Sequence, residues 1–140
     1  MKVYVASSWR NIVQPDVVRI LMEAGHEVYD FRNPHQKDGG FHWSDVDPDW
    51  EKWSSDKFID ELEHPLASKG FATDMEGLDW ADAVVMVMPC GSSSHLELGY
   101  AVGKNKRTII LLSQSEPELM YKMADYLVTD IDQMLIALKA

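Results

Sequence analysis

The sequence predicts a doubly wound α/β sandwich, with a parallel sheet of about five strands between two layers of helices. Three observations carry this. Short β-branched runs alternate with helical patterns along the chain. The run Ala83-Val84-Val85-Met86-Val87-Met88 is apolar at every position, as expected of a parallel strand covered on both faces. The chain also opens on a compact βαβ unit, whose crossover should be right-handed. A length of 140 residues suits one domain spanning 1–140, long enough for a self-sufficient core.

The first strand is expected at Lys2 to Ala6. A helix follows with Val17, Ile20, Leu21 and Ala24 on one face, Pro15 in its first turn and Gly25 at its C′ position. The second strand is expected at Glu27 to Phe31. Asn33 to Ser55 breaks the alternation. It is a long loop bearing Gly39, Gly40, Phe41, Trp43, Trp50 and Trp53 among acids and prolines, and its aromatics argue against disorder and for a lid. Helices are then expected near Asp56 to Glu63 and Thr73 to Trp80, a strand at Ala83 to Met88, and a helix at Ser94 to Lys104. A strand at Thr108 to Leu112, a last strand at Tyr126 to Val128 and a closing helix at Ile131 to Leu138 complete the pattern. Ligands of such sheets sit beyond the carboxyl ends of the strands, which here are Ser7 to Asn11, Arg32 to Pro34 and Pro89 to Ser94.

Charge and composition narrow the partners. A net charge of -10 and 13 Lys and Arg residues without a basic run argue against nucleic acid, though a helix N-terminus can still hold one phosphate. The longest apolar run is far too short to span a bilayer, the start of the chain lacks a secretory pattern, and a single cysteine, Cys90, agrees with a reducing cytoplasm. The five histidines show no metal-ligand spacing, so neither a metal nor another cofactor is expected. His95 reads as a helix-start residue and Cys90 as small apolar packing.

Two motifs carry chemistry. Gly91-Ser92-Ser93-Ser94, between a buried strand and a helix, offers backbone N–H groups and hydroxyls of the kind that hold phosphate or a sugar hydroxyl. It equally describes a serine-rich turn capping a helix. Neither G-x-x-x-x-G-K-[ST] nor G-x-G-x-x-G is present, which argues against nucleoside triphosphate hydrolysis and a dinucleotide site. Glu97 follows on the same helix. Ser94-x-x-Glu97 is a capping-box pattern, whereas a carboxylate facing the crevice is able to attack an anomeric carbon. Asp74, near Glu76, Asp79 and Asp82, reads either as a solvated helix acid or as an acid or base for a leaving group. Thr73-x-x-Glu76 is another capping box that would place it in a first turn.

Lys2-Val-Tyr-Val-Ala-Ser-Ser-Trp, Asp74-Met-Glu-Gly-Leu-Asp-Trp-Ala-Asp-Ala-Val-Val, His95-Leu-Glu-Leu-Gly-Tyr-Ala-Val-Gly and the following Arg107-Thr-Ile-Ile-Leu-Leu together resemble the nucleoside 2-deoxyribosyltransferase superfamily, over residues 2 to about 112. The resemblance implies a flavodoxin-like sandwich. It also implies a nucleophilic Glu97 that displaces the base from C1′ of a 2-deoxyribose, with Asp74 positioning or protonating that base. The superfamily includes nucleoside transferases and N-hydrolases of 2′-deoxynucleoside 5′-phosphates, and its members usually assemble as dimers or larger homo-oligomers.

One departure bears on the substrate. The transferases carry an Asp six residues before the nucleophile to bind the sugar 5′-hydroxyl, where this chain has Gly91, and no acid occurs from Pro89 to Leu96. Gly91, Ser92 and Ser94 at a helix N-terminus would welcome a 5′-phosphate that an Asp would repel. The expectation is therefore a nucleoside monophosphate substrate and hydrolysis rather than base transfer. Ser7, Trp9 and Arg10 beyond the first strand are further candidate contacts, with Arg10 a second phosphate ligand or simply a surface Arg. Trp43 either stacks on the base or fills a satellite core. A non-catalytic nucleotide-binding module and an NAD-cleaving enzyme are the competing readings.

Overall fold

A computed structural model describes residues 1–34, 39–114 and 117–140. Five strands, β1 (Lys2–Ala6), β2 (Glu27–Asp30), β3 (Ala83–Val87), β4 (Arg107–Leu111) and β5 (Tyr126–Val128), form one sheet in the order β2-β1-β3-β4-β5. All four pairings are parallel. This is the flavodoxin-like strand order.

The pleat sorts side chains between two cores. Val3 and Val5 point the same way as Ala83, Val85 and Val87, onto Val17, Val18 and Leu21 of α1 (Gln14–Glu23) and Met134, Ala137 and Leu138 of α6 (Ile131–Lys139). Tyr4 and Ala6 point the other way with Val84 and Met86. They meet Leu78 of α4 (Pro65–Trp80) and Leu98 and Ala101 of α5 (Ser92–Gly103). Covering both faces explains why β3 is apolar throughout. At the carboxyl ends, the β1–α1 and β3–α5 connections diverge to opposite faces and leave a crevice between them.

Two elements differ from expectation. Helix α4 begins at Pro65, eight residues ahead of Thr73, so Asp74 lies inside the helix rather than in its first turn. His64 caps the start by accepting the Leu66 N–H at Nδ1 (3.1 Å). The early turns were illegible because they carry Gly70 and leave Leu66 42% and Phe71 70% exposed. What steadies them is tertiary: Gly70 lies against the lid, where a Cβ would come within 3.0 Å of Phe41 Cβ. Thr73 does not cap, and its hydroxyl donates to the Lys69 carbonyl one turn back (2.9 Å).

Helix α5 likewise starts at Ser92, with Gly91 in the N-cap position and no side-chain cap bond. Glu97 therefore lies well past the first turn, and the capping-box geometry it would share with Ser94 is absent.

The expected loop contains structure of its own. Helix α2 (Trp43–Val46) and a 3-10 turn at Trp50–Lys52 lead into α3 (Ser55–Glu61), which Ser54 caps through the Lys57 N–H (3.2 Å). Trp43 meets Phe41, Trp53 and Phe58 edge-on, with centroids 4.8, 5.6 and 5.9 Å away. Residues 35–38 of the loop lie outside the described residues. Among the described residues no helix is long and apolar enough to cross a membrane.

Candidate active site

The crevice is built by polar links between its loops. Buried Asn11 accepts the Val13 and Gln14 N–H groups at Oδ1 (2.8 and 2.9 Å), starting α1, while Nδ2 donates to the carbonyls of Val87 and Pro89 (3.3 and 3.1 Å). The Ser7 hydroxyl donates to the same Val87 carbonyl (2.8 Å). From the end of β2, Arg32 Nη2 donates to the carbonyls of Ser8, Trp9 and Asn11 (3.1, 3.0 and 2.7 Å). These bonds hold the β1–α1 loop beside the start of α5.

A cavity of about 420 Å³ opens there, roofed by the lid residues Phe41, His42, Trp43 and Trp50. Every sequence-predicted site residue lines it: Glu97, Asp74, Ser7, Trp9, Arg10, Trp43, Gly91, Ser92 and Ser94. They are not equally available. Ser7 and Ser94 are buried and the Ser7 hydroxyl is engaged with backbone, whereas Gly91, Ser92, Ser93 and Arg10 are exposed. Trp9 packs on Phe31 (5.3 Å) and His42 (4.2 Å), joining the loop to the lid. Gly40 is confined to glycine twice over: φ is +74°, and a Cβ would lie 2.4 Å from the Phe31 carbonyl oxygen and 2.9 Å from the Trp9 ring.

Both carboxyls are held by tyrosines. The Tyr4 hydroxyl donates to Glu97 Oε2, and the Tyr29 hydroxyl donates to Asp74 Oδ1 (2.8 Å). Burial pushes the Glu97 carboxyl up to about 7; the Tyr4 bond pulls it down and the neighbouring Asp74 charge raises it further. Burial also raises Asp74, against the Tyr29 bond. Both phenols are pushed well above their ordinary value, first by burial and then by the two carboxylates, so each keeps its proton and acts as a donor. Two proton-hungry carboxyls in one crevice, each fixed by one donor, suit covalent and acid–base chemistry.

Sequence reading missed Tyr4 and Tyr29. The available signal was a tyrosine in each of two neighbouring short strands, both on the face opposite Val3 and Val5. Arg32 and Asn11 fell within the expected crevice segments without being singled out. His95 turns elsewhere: Nδ1 meets the Gly91 carbonyl (2.7 Å) and Nε2 the Tyr121 hydroxyl (2.8 Å), in a groove that Cys90 also lines. Among the described residues no group of three or more His, Cys, Asp or Glu side chains is placed to hold a metal.

No protein-family model matches the sequence, and no curated protein matches it significantly. Solved structures do. The 2-deoxyribosyltransferase of the psychrotolerant bacterium Bacillus psychrosaccharolyticus superposes with a TM-score of 0.64 at 20% identity, over 96% of this chain and 90% of that chain. The Clostridium botulinum CMP N-glycosidase BcmB superposes with a TM-score of 0.54 at 16% identity, over 100% of both chains. At these identities the likeness is one of fold: the chain has the flavodoxin-like α/β architecture on which a deoxyribosyltransferase and a CMP N-glycosidase are built.

Proposed function

We propose that this chain is an N-glycosidase of the nucleoside 2-deoxyribosyltransferase superfamily, cleaving a 2′-deoxynucleoside 5′-monophosphate with hydrolysis favoured over base transfer. The observation that carries the reading is the pair Glu97 and Asp74, lining one cavity and each held by a buried tyrosine. The two structural neighbours, a deoxyribosyltransferase and a CMP N-glycosidase, support the same class of bond.

In this mechanism ionised Glu97 attacks C1′. The C1′–N bond breaks, its electron pair goes to the base nitrogen, and Asp74 supplies the proton the base needs to leave; the reactive form of the coupled pair is the one-proton form with that proton on Asp74 and Glu97 ionised. The glycosyl ester on Glu97 is then hydrolysed: water attacks C1′, the ester bond breaks to restore the Glu97 carboxylate, and Asp74 takes up the proton from water. Tyr4 holds Oε2 and leaves Oε1 for attack. The 5′-phosphate is assigned to the exposed start of α5, where Gly91, Ser92 and Ser93 offer backbone N–H groups and hydroxyls, with Arg10 lining the same cavity.

Incubation with a panel of deoxynucleosides, ribonucleosides and their monophosphates, with and without an acceptor base, tests the proposal by released base. Release from a deoxynucleoside monophosphate that Glu97→Gln abolishes supports it. Absence of release from the whole panel, with ligand-induced thermal stabilisation that Glu97→Gln leaves intact, would establish a binding module instead.

We place this activity in the cytoplasm and in a homodimer or larger homo-oligomer. Leu96 and Leu119, each 75% exposed, and Met120, 56% exposed, supply apolar surface for such an assembly, which light scattering tests.

A further inference from the structure

Tyr29 has no place among the attacking or leaving atoms, yet it is held on three sides, by a ring, a helix backbone and a carboxyl. It is 8% exposed on β2 and is the register partner of Tyr4. Its ring stacks on Tyr4, and the backbone of α4 closes on the same ring at Gly77, where a Cβ would lie 2.7 Å from Cδ2 and 2.8 Å from Cε2. Gly77 is one turn beyond Asp74 on the same helix face. One ring thus seats the helix through Gly77 and takes its carboxyl through a 2.8 Å hydrogen bond.

We propose that Tyr29 is a positioning residue for the leaving-group acid: clamped between Tyr4 and Gly77, it binds Asp74 Oδ1 as an acceptor and leaves the proton of Asp74 on Oδ2, available to the departing base. The inference rests on the acid role given to Asp74 above. A hydrogen bond from a phenol favours the ionised carboxylate, so the same bond that aims Asp74 also moderates the upward push of burial and keeps it able to release its proton. Among the described residues, the titratable and charged groups around Asp74 are Tyr29 on β2, Tyr4 on β1, Glu97 on α5, Arg10 and His42 in the loops about the crevice, and Asp45 and Lys69 at the adjoining cavity. Tyr29→Phe leaves all the others in place and keeps the ring that packs on Gly77.

Two measurements on the full chain test this. In a carbon-13 NMR titration of the carboxyls, Tyr29→Phe should move the Asp74 midpoint up by about one pH unit. An unmoved midpoint overturns the inference whatever the enzyme does. In kinetics, Tyr29→Phe should lower kcat for a deoxynucleoside monophosphate roughly 10–100-fold at little change in KM, as expected for a weakened general acid, and carry the alkaline limb of the pH profile upward. The loss should be far smaller with a 4-nitrophenyl 2-deoxyriboside 5′-phosphate, whose leaving group needs no proton. Equal losses on both substrates, or none on either, overturn the acid-positioning role. If native protein releases neither base nor 4-nitrophenol while the midpoint still moves, the proposed function fails and the Tyr29–Asp74 linkage stands.

Discussion

Tyr4 and Tyr29 stack with ring centroids 4.8 Å apart and planes 8° from parallel, because they are register partners on adjacent parallel strands. From this pair each hydroxyl reaches a different helix: Tyr4 reaches Glu97 on α5, Tyr29 reaches Asp74 on α4. A single cross-strand contact therefore sets the relative placement of the two carboxyls.

Glu97 should weaken the fold at neutral and alkaline pH. Its folded-state value of about 7 lies above the ordinary 4.5, so between those values the native state binds more proton than the unfolded one. Stability then falls as pH rises through this window and levels off above it. Glu97→Gln should stabilise the protein by on the order of 2–3 kcal/mol at pH 8 and by close to zero at pH 4. Urea unfolding at the two pH values checks this; equal effects at both would refute the burial cost.

Base release should show an acid limb. If attack requires ionised Glu97, kcat/KM falls with decreasing pH through a midpoint near 7. Tyr4→Phe removes a bond that lowers the Glu97 value, so its limb should move to higher pH, and its rate at pH 7 should drop about 10–100-fold. A rate profile flat from pH 5 to 8 would contradict the role of Glu97.

Arg10 and the start of α5 should act on the 5′ group alone. Arg10→Ala is expected to raise KM for a monophosphate about tenfold, an effect that shrinks with added salt, while leaving the corresponding nucleoside almost unaffected. Equal effects on both substrates would place Arg10 elsewhere in recognition.

Gly77→Ala sets two effects against each other. Alanine favours a helix interior by about 1 kcal/mol over glycine. Its methyl, however, would lie 2.7 Å from the buried Tyr29 ring, and such overpacking costs about 1–3 kcal/mol. Net destabilisation with reduced kcat is expected; a stabilised variant of undiminished kcat would show that the ring yields freely.

Gly40→Ala should loosen the lid rather than the sheet. Its positive φ and its contact with the Phe31 carbonyl and Trp9 leave no room for a methyl. Limited proteolysis should cut residues 41–54 faster, and KM should rise with little change in the main unfolding transition.

The sequence by itself determined the strands, the parallel α/β class and the location of the crevice. Those features follow from local pattern: β-branched runs such as Lys2–Ala6 and Ala83–Val87 specify strands, and their alternation with helices implies parallel crossovers. The nucleophile and acid candidates were legible as residue types, but capping boxes explained both equally well at the level of spacing. Only the tertiary structure set the capping readings aside, because helix starts at Pro65 and Ser92 are fixed by His64, Gly70 and Gly91 in their packed surroundings. The tyrosines were legible as residues of two short strands, but their partners were not, for the same reason. Their placement against the two carboxyls comes from a cross-strand register and two hydrogen bonds spanning 93 and 45 residues, and such contacts exist only once the chain has folded.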